Sequence, residues 1–273
     1  MPDTTATGAS GDDIVLLDVA DRVATITLNR PRARNALSSA VRRRIPELAA
    51  EADGRDDVDV LILTGADPAF CAGIDLKELG SGEGSLDDAP LERHLLPQRP
   101  RRGPIPDLTK PLIGAINGVA ITGGLELALA CDFLVASEQA RFADTHSRVG
   151  IQPGWGLTVL LPEAVGLRRA REMSATGNFV DATTALQWGL VNHVVPHDEL
   201  LPFCRQLGAD IASNDQAGVR RIFATYRDGA ITDGTGAWDL EAAVAKEWQG
   251  GGIDPAEVER RRQAVVARGR TQV

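Results

Sequence analysis

Residues 14–30 alternate apolar and polar positions in two stretches on either side of Ala20-Asp21-Arg22. A period of two with a polar joint predicts a β-hairpin, and Asn29-Arg30-Pro31 breaks its second strand. From Ser38 to Asp53 the period changes. Val41, Ile45, Leu48 and Ala52 fall at helical spacing, with Ser38 placed to cap the first turn. Pro46 lies inside this pattern and predicts a kink or a late start. Val60-Leu61-Ile62-Leu63-Thr64 is a short unbroken apolar run ending at Gly65, the mark of a buried, parallel strand. Leu112 to Ile121 reads as a strand, Gly124 to Cys131 as a helix and Phe133 to Ala136 as a strand. Two βα units in tandem imply right-handed crossovers and an α/β core. Past residue 160 strands largely vanish, and residues 163–175, 182–188, 198–212, 215–227, 236–249 and 255–268 have helical spacing. There is no short-period repeat. Residues 79–110 are rich in Gly, Pro, Arg and Asp with weak periodicity. They read either as a solvated surface loop or as a lid or wall of a ligand pocket.

The chain's 273 residues allow one substantial core, or a core with a smaller subdomain. With 43% hydrophobic and 25% charged residues it has the balance of a soluble globular protein. The best candidate for a membrane span, Pro111 to Ala136, is interrupted by Asn117, Glu126 and Asp132, so no span is expected. Met1 to Asp13 is polar and has no basic start followed by an apolar stretch, which predicts a disordered tail and no secretory signal. The net charge of −9 argues against nucleic-acid binding. It leaves room for an anionic ligand met by a few arginines and backbone amides. The three cysteines, Cys71, Cys131 and Cys204, have no repeated spacing and suit a reducing cytoplasm. Cys71 reads as a small core thiol, because nothing beside it in the sequence would activate a nucleophile. His94 falls in the irregular 79–110 segment. His193 and His197 are four apart in an expected loop with no acidic partner of metal-site type, so no metal is expected.

Two glycine-containing segments carry the candidate chemistry. The first is Ala69-Phe70-Cys71-Ala72-Gly73-Ile74-Asp75-Leu76, and the second runs from Asn117-Gly118 through Thr122-Gly123-Gly124 to Leu125-Glu126-Leu127-Ala128. Each follows a strand and opens a helix, where α/β proteins bind ligands. The first N–H groups of a helix lack internal acceptors and the helix dipole favours negative charge there. Two such groups aimed at one point make an oxyanion hole. Neither segment has the GxGxxG or P-loop form, so dinucleotide and Walker-type phosphate sites are poor readings.

In this order the two segments resemble the crotonase (enoyl-CoA hydratase/isomerase) superfamily. The resemblance extends to Asn29-Arg30-Pro31 with Asn35-Ala36-Leu37, to Arg141-Phe142-Ala143 with Gly150-Ile151 and Pro153-Gly154, and to Gln187-Trp188-Gly189-Leu190-Val191. It implies a spiral of ββα units with a C-terminal helical trimerisation subdomain. The expected division is a tail over 1–13, an acyl-CoA-binding core over 14–200 and a helical subdomain over 201–273. The implied partner is an acyl-CoA, with coenzyme A entering only as part of the substrate and no separate cofactor. A homotrimer or a dimer of trimers, in the cytoplasm, is implied as well. The thioester oxygen would be held by the N–H groups of Ile74 and Gly123, and the CoA moiety would pass Arg32 and the backbone of Ala72, Gly73, Ile74, Asp75 and Leu76.

The activity implied is hydration of a 2-enoyl-CoA, a lyase reaction of fatty acid metabolism performed in the family by two glutamates. Glu126 matches the first. The position of the second holds His146, within Ala143-Asp144-Thr145-His146-Ser147-Arg148, so this chain departs from the family there. A histidine can move protons near neutral pH, or it can be structural. Asp144 is near enough in sequence to orient His146 or to replace it. The departure keeps open other chemistry of the superfamily, namely isomerisation, decarboxylation or thioester hydrolysis, and also acyl-CoA binding with little turnover. Trp155, after Pro153-Gly154, either lines the acyl site or packs in the core or an interface.

Overall fold

The computed structural model describes residues 14–81 and 103–226, with residues 246, 255–256, 259–260, 262–263 and 266. The expected tail over 1–13, His94 with residues 82–102 of the irregular segment, and most of the helices expected over 236–249 and 255–268 lie outside the described residues.

Strands β1 (Val15–Ala20) and β2 (Val23–Leu28) form the expected antiparallel hairpin, with Ala20 opposite Val23. Its two-residue turn has φ of 50° at Asp21 and 64° at Arg22. Two successive left-handed residues twist the turn the same way as the strands. Helix α1 (Ser39–Gly54) begins where the Ser38 hydroxyl accepts the Val41 N–H. It runs through Pro46, so the late start does not occur. Its buried residues include Val41, Ile45, Leu48 and Ala52, the positions picked out by the helical period.

Three units of one design follow. The first is β3 (Val60–Gly65), β4 (Ala69–Cys71) and α2 (Leu76–Ser81). The second is β5 (Leu112–Ile116), β6 (Val119–Ile121) and α3 (Gly123–Leu129). The third is β7 (Phe133–Ser137), β8 (Arg141–Ala143) and α4 (His146–Val149). Two further strands, β9 (Val180–Asp181) and β10 (His193–Val195), complete the sheets. The first strand of every unit joins a six-stranded sheet of order β1-β2-β3-β5-β7-β10, and the second joins a four-stranded sheet of order β4-β6-β8-β9. The result is an α/β spiral of ββα turns. Leu112 to Ile121 is therefore not one strand. It turns at Asn117-Gly118, where a Cβ on Gly118 would meet the Pro68 carbonyl oxygen at 2.5 Å, so only glycine lets the chain pass so close to the preceding unit.

The large sheet is covered on both faces. Val60 and Ile62 pack with Ile113, Ala115 and Val135 against Leu200 and Cys204 of helix α8 (Leu200–Ala212). Leu61 and Leu63 point the other way, into a core with Ile45, Leu48, Phe70 and Phe142. This two-sided cover is why β3 reads as an unbroken apolar run. Burying each such side chain contributes roughly 1.5–3 kcal/mol.

The helix expected over 163–175 is two helices, α5 (Leu157–Val165) and α6 (Leu167–Thr176), separated at Gly166 with φ 82°. Helix α7 (Ala182–Trp188) has the expected bounds. The tail of the core is less purely helical than its pattern suggests, since β9 and β10 close the sheet edges. His193 is in β10, parallel to β7, and not in a loop; its ring lies edge-on to Phe203 with centroids 5.1 Å apart. Among the described residues no helix is long and apolar enough to cross a membrane.

Candidate active site

Strands β4, β6 and β8 run parallel, with Cys71 beside Ala120 and Ile121 beside Ala143. Their carboxyl ends therefore open on the same side. From there, three loops lead into three helices: Ala72 to Asp75 before α2, Thr122 before α3, and Asp144-Thr145 before α4. Every predicted catalytic residue stands on or just after one of these loops. The Thr122 N–H donates to the Ala143 carbonyl at 2.9 Å, and the Thr122 and Thr145 hydroxyls are hydrogen-bonded to each other. These contacts stitch the second loop to the third. Thr122 has φ 55° and ψ −114°, an unfavourable conformation for a β-branched residue that the surrounding bonds must hold.

The first two loops touch through their glycines. A Cβ on Gly124 would lie 2.2 Å from the Cys71 carbonyl oxygen, and one on Gly73, which has φ +86°, would lie 3.4 Å from the Gly123 nitrogen. Leu37 donates its N–H to the Gly73 carbonyl at 2.8 Å, and Asp75 donates its N–H to the Leu37 carbonyl at 3.2 Å. Between these two committed residues, the N–H of Ile74 has no acceptor among the described residues, and neither has that of Gly123 at the start of α3. Asn35 underpins the arrangement. Its side chain accepts the Arg30 N–H at 2.8 Å and donates to the carbonyls of Ala66 and Ala69 at 2.8 and 2.6 Å.

Glu126 and His146 are 3% and 5% exposed. The carboxylate Oε1 of Glu126 accepts the Trp155 N–H at 2.9 Å, and Oε2 lies 3.5 Å from Nε2 of His146. On its other side, Nδ1 of His146 is 2.7 Å from Oδ1 of Asp144, which also accepts the His146 N–H at 3.1 Å. Asp144, His146 and Glu126 thus form one buried row. Burial opposes charge on the imidazole, but hydrogen bonds to Asp144 and Glu126 and their negative charges outweigh it, raising the His146 pKa to about 9. Burial likewise opposes ionisation of Asp144, yet its bonds to His146 and Ser174 hold the carboxyl below its ordinary range.

A cleft of about 980 Å³ opens along the loops before α2, α3 and α4. Arg32, Ala72, Ile74, Asp75 and Leu76 line it, facing Thr122 and Thr145. Gly123, Glu126 and His146 are within one residue or one helical turn of those threonines. Arg32 is exposed at the mouth. The Asp75 carboxylate is engaged inside the wall, accepting from Arg30 at 3.0 Å and from the Lys77 and Glu78 N–H groups. Trp155 stands beside the donor loop, its ring edge 3.3 Å from where a Gly123 Cβ would be.

The sequence pattern had no signal for the Trp155 N–H, for the Thr122–Thr145 pair or for the work of Asn35, since each depends on contacts between distant segments. Cys71 is buried and burial pushes its thiol up to about 12, which leaves it inert. His197 is engaged with Ser137 at 3.0 Å and Asp67 at 3.1 Å. Among the described residues no group of His, Cys, Asp and Glu is arranged to hold a metal ion.

Comparison with known proteins shows the family of the chain. The family model described as enoyl-CoA hydratase/isomerase matches residues 18–250. The chain is 35% identical over 232 residues to a crotonyl-CoA hydratase of Syntrophomonas wolfei, covering 84% of this chain and 86% of that protein. It is 35% identical over 214 residues to a short-chain-enoyl-CoA hydratase of Clostridium acetobutylicum, covering 76% and 78%. A crystal structure of an enoyl-CoA hydratase from Mycobacterium tuberculosis superposes with a TM-score of 0.77 at 51% identity, covering 88% of this chain and 99% of that one. With a family match over most of its length and the spiral of ββα units in place, the chain belongs to the enoyl-CoA hydratase/isomerase family, the crotonase superfamily.

Proposed function

We propose that this protein hydrates a 2-enoyl-CoA to a 3-hydroxyacyl-CoA, with Glu126 and His146 as the acid–base pair. The observation that carries the reading is the buried contact between these two side chains beside two backbone N–H groups that have no acceptor among the described residues. The thioester oxygen takes hydrogen bonds from Ile74 and Gly123. As water attacks C3, negative charge builds on that oxygen, and donors placed in advance favour the enolate over the neutral thioester. Glu126 accepts the proton leaving the water. The enolate then takes the Nε2 proton of His146 at C2, which neutralises the imidazole. The proton held by Glu126 passes to Nε2 across the short gap, restoring both groups. An imidazole with a raised pKa carries the proton this step needs at neutral pH.

The substrate's CoA portion is assigned to Arg32 and the backbone of Ala72 to Leu76, all but Gly73 of which line the cleft. Residues 14–200 are proposed as the acyl-CoA-binding core and 201–273 as a helical subdomain joining three subunits, or six. The reaction as written needs no cofactor beyond the substrate's own coenzyme A. Three free cysteines favour a reducing cytoplasm as its place of work. The test is direct. Crotonyl-CoA and longer 2-enoyl-CoAs, mixed with the protein, should lose their conjugated absorbance and give 3-hydroxyacyl products by mass spectrometry. No loss at any chain length would remove the proposal.

A further inference from the structure

Position 146 needs more than a histidine in place of a carboxylic acid. Imidazole has two nitrogens, and a neutral ring with its proton on the wrong one presents the wrong atom to the substrate. The side chain of Asp144 is 3% exposed, its Oδ1 is 2.7 Å from Nδ1, and the same oxygen accepts the His146 backbone N–H at 3.1 Å. The carboxylate is therefore tied to both the ring and the main chain of the residue two positions on. It lies on the side of the ring away from Glu126, since Glu126 faces Nε2. This placement rules out Asp144 as a replacement for His146, because the imidazole stands between it and Glu126.

We infer that Asp144 is a positioning residue: it keeps a proton on Nδ1 of His146 in every state of the ring, so that Nε2 alone exchanges protons with the substrate and Glu126. In the charged ring both nitrogens carry protons. When Nε2 gives its proton to C2, the electron pair of that N–H bond stays on Nε2 and the neutral ring keeps Nδ1–H against Asp144. The ring is then ready to accept at Nε2 and nowhere else. Asp144 and Glu126 are the titratable groups that face His146 from its own loop and from α3, and both favour the charged ring. Arg148, two residues along α4, points away, to the Thr176 carbonyl and Asn178.

The kinetic part of this inference rests on the hydratase reading; the spectroscopic part does not. Ring-nitrogen NMR of the full chain, with the signal assigned by its loss in His146→Gln, reports which nitrogen holds the proton. The expected result is Nδ1–H both below and above the titration midpoint. A neutral ring protonated at Nε2 would overturn the assignment without any mutant of Asp144. In Asp144→Asn the midpoint should fall by about one pH unit or more, and the alkaline limb of kcat should move with it while KM changes less than about twofold. Asp144→Glu should recover part of the shift. A folded Asp144→Asn protein whose midpoint and pH limb match the wild type, or whose kcat falls equally at every pH, would refute the inference. Nδ1–H with no turnover of any enoyl-CoA would sink the hydratase reading and uphold this one.

Discussion

Nε2 of His146 lies 3.5 Å from Oε2 of Glu126, and the other oxygen of that carboxylate is taken by the Trp155 N–H. Glu126 thus has one oxygen fixed by the main chain and one facing the imidazole. Glu126→Gln keeps an amide oxygen that can accept from Trp155 but removes the base. Turnover of crotonyl-CoA should fall by about 100- to 10,000-fold, while the affinity for a saturated acyl-CoA, measured by calorimetry, should stay within a few-fold. Equal losses in binding and turnover would mean that Glu126 shapes the pocket and does not move protons.

The charge on His146 links activity and stability to pH in the same direction. Its folded-state pKa is raised from 6.5 to about 9. The imidazolium therefore contributes stability that is fully present below the unfolded value near 6.5 and is lost as pH rises through about 9. Urea midpoints should fall across that window, and should fall less in His146→Gln. The rate of hydration should hold up to about pH 8 and decline as pH rises through about 9, where Nε2 loses its proton. A flat pH profile through 9 would argue for a structural histidine.

Gly124 is the point where α3 meets the strand of the preceding unit. A Cβ there would sit 2.2 Å from the Cys71 carbonyl oxygen, a contact that backbone must move to relieve. Gly124→Ala should lower stability by about 1–3 kcal/mol, read as a drop in Tm. By displacing the Gly123 donor it should also lower kcat by roughly 100-fold. A variant with unchanged Tm would show that these loops give way easily.

The thiols offer a separate check on the core. Cys71, Cys131 and Cys204 are all buried, and burial raises the Cys71 and Cys204 thiols to about 12. A disulfide reagent at mildly alkaline pH should leave the native protein unlabelled and react with three thiols after denaturation. Rapid labelling of Cys71 in the native state would show that the loop after β4 opens readily.

The parts of the fold that could be read along the chain are those whose reason for forming is local. The β1–β2 hairpin, β3 and α7 each have a complete apolar period with a turn or cap at the end. Strands β4, β8, β9 and β10 were missed because two or three residues cannot display a period. The long run from Leu112 to Ile121 was misjudged for the opposite reason. Its apolar character continues through a turn, since β5 and β6 are buried in two different sheets.

In the candidate site, residue type and spacing marked the glycine loops, while Glu126 and His146 were marked only by the resemblance to the superfamily, as the positions that match its two glutamates. Spacing carries no side-chain direction. It left open whether Asp144 orients His146 or replaces it, and it held no trace of the Trp155 N–H that fixes Glu126. The three parallel strands of the small sheet decided those points by bringing loops some fifty and twenty residues apart to one edge. Local interactions choose helix, strand and turn over a few residues, whereas the partners of a buried charge are chosen only when distant segments close around it and exclude water.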